Sequence, residues 1–111
     1  MIIAVTAFVL PEPITPERGR DIFLSTAPTY QGVDGLVRKH YTLSEDGRTA
    51  GGVYLWESRT AAEALYTDAW RTFVRAKYGT DPTVTYFDSP VFVDNVVGQV
   101  VADGVGSAAA R

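Results

Sequence analysis

Lys39, His40 and Tyr41 are adjacent in a stretch of β-branched and aromatic residues, and they hold most of the chain's capacity for proton transfer. His40 is the single histidine, and histidine is the side-chain type that titrates nearest neutrality. It could take a proton from a phenol or an acidic C–H, leaving an electron-rich anion that reacts with oxygen without a metal. Lys39, if it enters an apolar pocket, would hold an anionic substrate or a developing enolate, and desolvation would lower its pKa. Neighbouring strand residues face opposite sides of a sheet, so these two side chains cannot serve one pocket. Lys39, His40 and Tyr54 are the catalytic candidates. Tyr66, Trp70 and Phe73 recur at helical spacing, which makes them core residues first, and with Tyr86 they are also candidate walls for an aromatic ligand. No paired carboxylates, nucleophile motif, phosphate loop or Ser-His-Asp order is present.

Those residues belong to a chain of 111 residues with a net charge of -3 and no cysteine. The length suits one domain. The acidic balance and scattered Lys and Arg argue against nucleic acid and against an anionic membrane. Without cysteine there are no disulfides or thiolate sites, and one histidine allows no histidine-rich metal site within a chain. No cofactor is expected. The apolar start "MIIAVTAFVL" lacks a basic leader and stops at Pro11, which reads as a strand rather than a signal peptide, so a cytoplasmic protein is expected.

The elements that must position the candidates follow in order. Residues 2–10 form a strand with both faces apolar. Thr15 and Pro16 open a helix that Pro28 should end soon after Leu24. Residues 35–44 form a second strand, "EDGR" (45–48) a hairpin turn, and "TAGGVYLWES" (49–58) the returning strand. The stretch from Ser58 to Gly79 is one helix, capped by Ser58 or Thr60 with a Thr60–Glu63 capping box and closed by Gly79. Its apolar face holds Ala62, Leu65, Tyr66, Ala69, Trp70 and Phe73. Residues 83–97 form a strand bent at Pro90, and 98–111 a flexible Gly/Ala-rich tail following a single domain over 1–97. Strand, helix, strand, strand, helix, strand predicts an α+β, ferredoxin-like βαββαβ unit with an antiparallel four-stranded sheet. Two helices cover one face only, so the other apolar face should pack on a second copy, giving a homodimeric α/β barrel.

A four-residue turn also fixes register. Tyr41 then faces Gly52, Lys39 faces Tyr54 and Val37 faces Trp56 on one side. Thr42 faces Gly51, His40 faces Val53 and Arg38 faces Leu55 on the other. Two successive glycines in a strand imply that something bulky needs the space, either Tyr41 laid across Gly52 or a ligand.

The segment "GLVRKHYTLSEDGRTAGGVYLWESRTAAEALY" resembles the YdhR-type group of monooxygenase-like proteins in the dimeric α/β-barrel (ABM-like) superfamily. Gly35, Lys39, Tyr41, Ala50-Gly51-Gly52, Tyr54-Leu55-Trp56 and Glu57-Ser58 carry the likeness. It implies a pocket between sheet and helices and favours Lys39, Tyr41, Tyr54 and Trp56 as one set. No histidine lies on the second helix, where a heme ligand would be expected. The expected function is a cofactor-independent monooxygenase acting on an aromatic or polyketide-like small molecule. The alternatives are isomerase, cyclase or dehydratase chemistry by proton shuttling in the same pocket, or a non-catalytic small-molecule-binding dimer.

Overall fold

The computed structural model describes residues 1–103. Strand β1 (Ile2–Val9) leads through a short loop to helix α1 (Pro16–Tyr30), then to β2 (Leu36–Leu43) and β3 (Thr49–Trp56). Helices α2 (Arg59–Leu65) and α3 (Asp68–Tyr78) follow, then β4 (Thr83–Asp88) and a terminal hairpin of β5 (Val91–Asp94) and β6 (Gln99–Ala102). The four main strands form an antiparallel sheet in the order β2-β3-β1-β4, so β2 and β4 are its edges. This is the ferredoxin-like α+β architecture anticipated from the element order, with the helices on one face.

Alternation along β1 decides which face is the core. Ala4, Thr6 and Phe8 are buried beneath the helices, while Ile3, Val5 and Ala7 point to the uncovered face and Val9 is exposed. Phe8, Leu10 and Leu43 all belong to the covered side; Phe87 is 52% exposed on the bare one. Among the described residues no helix is long and apolar enough to cross a membrane.

The hairpin register matches the sequence reading from Arg38 to Leu43: Lys39 pairs with Tyr54, His40 with Val53, Tyr41 with Gly52 and Thr42 with Gly51. Gly47 supplies the positive φ the turn needs, and Ile14 N donates to its carbonyl at 3.0 Å, tying the loop after β1 to this turn. The register breaks between Leu36 and Arg38, where a bulge sets Leu36, not Val37, opposite Trp56.

Other expectations are corrected. Helix α1 is capped by Thr15, whose side chain accepts from Arg18 N, but it runs through Pro28 to Tyr30. Pro28 lies in the last turn with its ring exposed, so the one backbone bond it forfeits does not stop the chain. The second helical stretch is two helices. Tyr66 leaves helical geometry at ψ 58, and Thr67 starts a new cap by accepting from Trp70 N at 3.2 Å. The break turns the buried stripe of α3 to Trp70 and Val74, with Tyr78 half-buried in line, and leaves Ala69 and Phe73 exposed. Ser58 caps α2 through Ala61 N, while Glu63 pairs with Arg59 at 3.0 Å rather than closing a capping box. The strand expected over 83–97 is divided into β4 and β5, and β6 lies in the segment where a tail was expected from residue 98. The remainder of that segment, 104–111, lies outside the described residues.

Candidate active site

Lys39 reaches inward from edge strand β2 and ends in a cage of aromatic rings. Its Nζ is 3.4 Å from the centre of the Tyr30 ring, 3.6 Å from that of Tyr41 and 4.7 Å from that of Tyr54. Each ring comes from a different element: α1, β2 and β3. The two glycines make the approach possible. A Cβ on Gly52 would sit 3.2 Å from Lys39 Cε and 3.1 Å from the Tyr54 ring, so the missing side chain is where the lysine stem lies. Tyr41, expected to cross Gly52, instead stacks on Phe23 of α1 at 4.8 Å and shares a 2.8 Å hydrogen bond with Thr26. A Cβ on Gly51 would collide with the Thr6 carbonyl, so that glycine permits close approach of β1 to β3.

Behind the cage the aromatic residues interlock. Trp70 Nε1 donates to Tyr30 Oη at 3.1 Å, and Trp56 Nε1 donates to Tyr66 Oη at 3.0 Å. Both indoles are thereby satisfied in the core, as burial of such groups requires. Tyr66 lies edge-on to Tyr54, Trp56 and Trp70, and Tyr86 continues the array to a ring covered by the Arg59 guanidinium at 3.9 Å.

Burial lowers the Lys39 amine from 10.5 to about 7, because a buried cation gives up its hydration. The three ring faces act in the opposite sense, since each attracts the cation. The tyrosines move the other way. Burial raises Tyr54 far above the ordinary phenol range, with Tyr30 and Tyr66 adding to the effect. Tyr66 is raised by burial despite its bond from Trp56, Tyr41 by burial despite Thr26, and Tyr78 is pushed up to about 12 by burial. These hydroxyls stay protonated at neutral pH. Lys39 is thus the caged group able to exchange a proton there.

The enclosed space beside Lys39 measures about 10 Å³, room for a single water. Its lining joins Lys39, Tyr41, Tyr54, Trp70 and the rim residue Phe73 with Tyr30, Thr26, Tyr78, Thr6 and Gly51. Two open grooves flank it along the β2 edge. One of about 270 Å³ is bounded by Tyr30, Gln31, Leu36, Arg38, Lys39 and Tyr41, and another of about 370 Å³ by Arg20, Phe23, Leu24, Tyr41 and Leu43. Tyr41 borders all three spaces.

Of the residues singled out in the sequence, Lys39, Tyr41, Tyr54, Trp70 and Phe73 meet at the cavity, with Gly52 beneath the lysine stem. Trp56 and Tyr66 stand behind it, and Tyr86 lies beyond Tyr66. His40 is exposed on the opposite face, beside Arg38, Val53, Leu55, Ile3 and Phe92 of the terminal hairpin. Sequence reasoning missed Tyr30 and Tyr78. Tyr30 was hidden by ending α1 too early at Pro28. Tyr78 was legible, since Trp70, Val74 and Tyr78 recur every four residues.

No family model matches the chain, and no curated protein matches it. Solved structures do. A monooxygenase of Streptomyces coelicolor, determined with nanaomycin D, aligns over 79% of this chain and 86% of its own at a TM-score of 0.61 and 19% identity. SnoaB of Streptomyces nogalater, a cofactor-independent oxygenase, aligns over 79% and 91% at 0.58 and 18% identity. A Deinococcus radiodurans protein assigned to the antibiotic biosynthesis monooxygenases aligns over 85% and 97% at 0.62 and 12% identity. The fold is therefore the ferredoxin-like fold of the antibiotic biosynthesis monooxygenase structures. Likeness at this level of identity concerns fold, and the chemistry has to be argued from the site.

Proposed function

We propose that this protein is a cofactor-independent monooxygenase of the YdhR type, acting as a homodimer on an aromatic or polyketide-like phenol or hydroxyarene. The observation that carries the reading is a lysine amine, lowered towards neutrality, enclosed by tyrosine rings beneath the helices. The neutral amine accepts the phenol proton, and the ammonium so formed stays beside the phenolate and stabilises it. The anion is the electron donor. One atom of O₂ is incorporated into the ring and the other leaves as water, so a phenol and O₂ give a quinone and H₂O. Tyr54 and Tyr41 keep their protons and can hydrogen-bond the developing oxyanion. Trp56, Tyr66, Trp70 and Phe73 supply the surrounding aromatic surface, with Tyr86 at its far end.

A polycyclic substrate does not fit a 10 Å³ space, whereas small-molecule sites run to about 300–1,000 Å³. Binding therefore requires the residues around the cavity to yield, with Lys39 and Tyr41 moving towards the flanking groove that both line. The dimer is supported by the bare sheet face, which carries Ile3, Val5, Val53 and Leu55 together with exposed Val9 and Phe87. Residues His40 and Arg38 lie on that face, so a role for His40 belongs to the subunit contact or to a site completed there. Proton shuttling without oxygen, as in an isomerase, cyclase or dehydratase, draws on the same near-neutral amine and is the second reading.

Oxygen uptake with 1,8-dihydroxyanthrone tests the proposal. The wild-type protein should consume oxygen well above the uncatalysed rate, and Lys39→Met should lose at least about tenfold, the lower end expected for removing one proton-transfer group. Uptake equal in both proteins, or no faster than buffer, would overturn it.

A further inference from the structure

A lysine amine drawn into an apolar cage is ordinarily matched by a carboxylate, since a buried cation without one is costly. Among the described residues Lys39 has none. Neither the enclosed cavity nor the 270 Å³ groove beside it is lined by an Asp or Glu. The groups facing the amine are the hydroxyl-bearing rings of Tyr30 on α1, Tyr41 on β2, Tyr54 on β3 and Tyr78 on α3, with Arg38 at the groove rim. Lys39 lines both the closed cavity and the open groove, which makes the groove along the β2 edge the side from which a ligand can approach the amine. The bulge at Val37, between Leu36 and Arg38, lies on that edge.

We propose that Lys39 is a carbonyl-reactive residue, condensing through Nζ with aromatic or unsaturated aldehydes and ketones that enter by this groove. The amine lone pair adds to the carbonyl carbon, breaking the C=O π bond and giving a carbinolamine. Loss of water, with one proton taken up from solvent, leaves a protonated imine: amine, carbonyl and H⁺ give iminium and H₂O. No electron changes hands, so the step needs neither oxygen nor another oxidant. An aryl carbonyl would lie against the Tyr30 and Tyr41 rings that bound the groove. The iminium would retain the cation's contact with the ring faces while no longer requiring a solvated ammonium. Such an adduct acidifies the adjacent C–H, which is the activation that isomerisation or dehydration of a ketone requires.

Reactivity at neutral pH depends on free amine. An amine lowered to about 7 is about half neutral at pH 7, against less than about a thousandth of an ordinary lysine amine. The chain has only two lysines, and Lys77 lies exposed on α3, so each molecule carries its own reference. The test is anaerobic incubation of the full chain with 1-naphthaldehyde at pH 7, trapping with sodium cyanoborohydride, and peptide mapping by mass spectrometry. Lys39 should acquire the naphthylmethyl group at least about tenfold faster than Lys77, and the advantage should vanish in urea. Labelling of Lys39 no faster than Lys77, or a preference that persists in the unfolded chain, would overturn the proposal. Since oxygen is absent, the two readings fail separately: a Lys39 that does not label while oxygen uptake still depends on it overturns only this proposal, and failure of oxygen uptake leaves this one standing.

Discussion

Replacing Lys39 with methionine should stabilise the protein while removing its reactive amine. Methionine has nearly the same length and fills the stem's place over Gly52 without a charge. An amine moved from 10.5 unfolded to about 7 folded corresponds to about 5 kcal/mol at about 1.4 kcal/mol per pH unit, an upper limit. The ring faces return part of the lost solvation, at about 0.5–2 kcal/mol for a good contact, and the groove leaves Nζ some water. A net gain of about 2 kcal/mol for Lys39→Met is the working figure, or about 10 °C in Tm for a domain of this size. The pH dependence carries the sign. Between about 7 and 10.5 the unfolded chain binds more protons at Lys39 than the folded one, so wild-type stability rises with pH through that window. The penalty is fully present below about 7 and gone above 10.5. Urea unfolding of both proteins at fixed concentration from pH 6.5 to 10.5 should show the methionine advantage largest at the acid end and shrinking towards zero. A variant less stable than wild type at pH 7, or a difference independent of pH, would refute the account of the cage.

The glycine pair should respond unequally. Gly51→Ala drives a methyl into the Thr6 backbone and should cost about 3 kcal/mol or more, whereas Gly52→Ala meets the His40 carbonyl, the Tyr54 ring and the lysine stem at 3.1–3.2 Å, each needing to give only slightly, and should cost about 1 kcal/mol. Thermal denaturation that ranks them the other way would sink this reading. Phe87→Asp on the bare sheet face should convert a dimer at micromolar concentration to monomer by sedimentation velocity; a wild-type monomer under those conditions would remove the case for a face-to-face pair.

The fold was legible because strand parity and turn length are local quantities. A four-residue turn around Gly47 was enough to pair Lys39 with Tyr54 and to set His40 on the other side, as the structure has it. What could not be read was how long side chains settle above the sheet. The space over Gly52 looked made for its cross-strand partner Tyr41, yet Lys39 fills it because Tyr41 finds Phe23 and Thr26 on α1. The cage was half visible for a related reason. Tyr30 depends on α1 continuing past Pro28, and the exposure of Ala69 and Phe73 on the phase reset at Thr67. Breaks in helical phase are settled by packing that a single sequence does not display.

The bulge at Val37 also bears on solubility. An edge strand with regular pairing groups invites another strand to add alongside, the route to open-ended sheets and aggregation. Along β2 the irregularity between Leu36 and Arg38 spoils that template midway through the approach to Lys39. Strand addition is thereby disfavoured along the β2 edge, the same edge from which a ligand would approach Lys39.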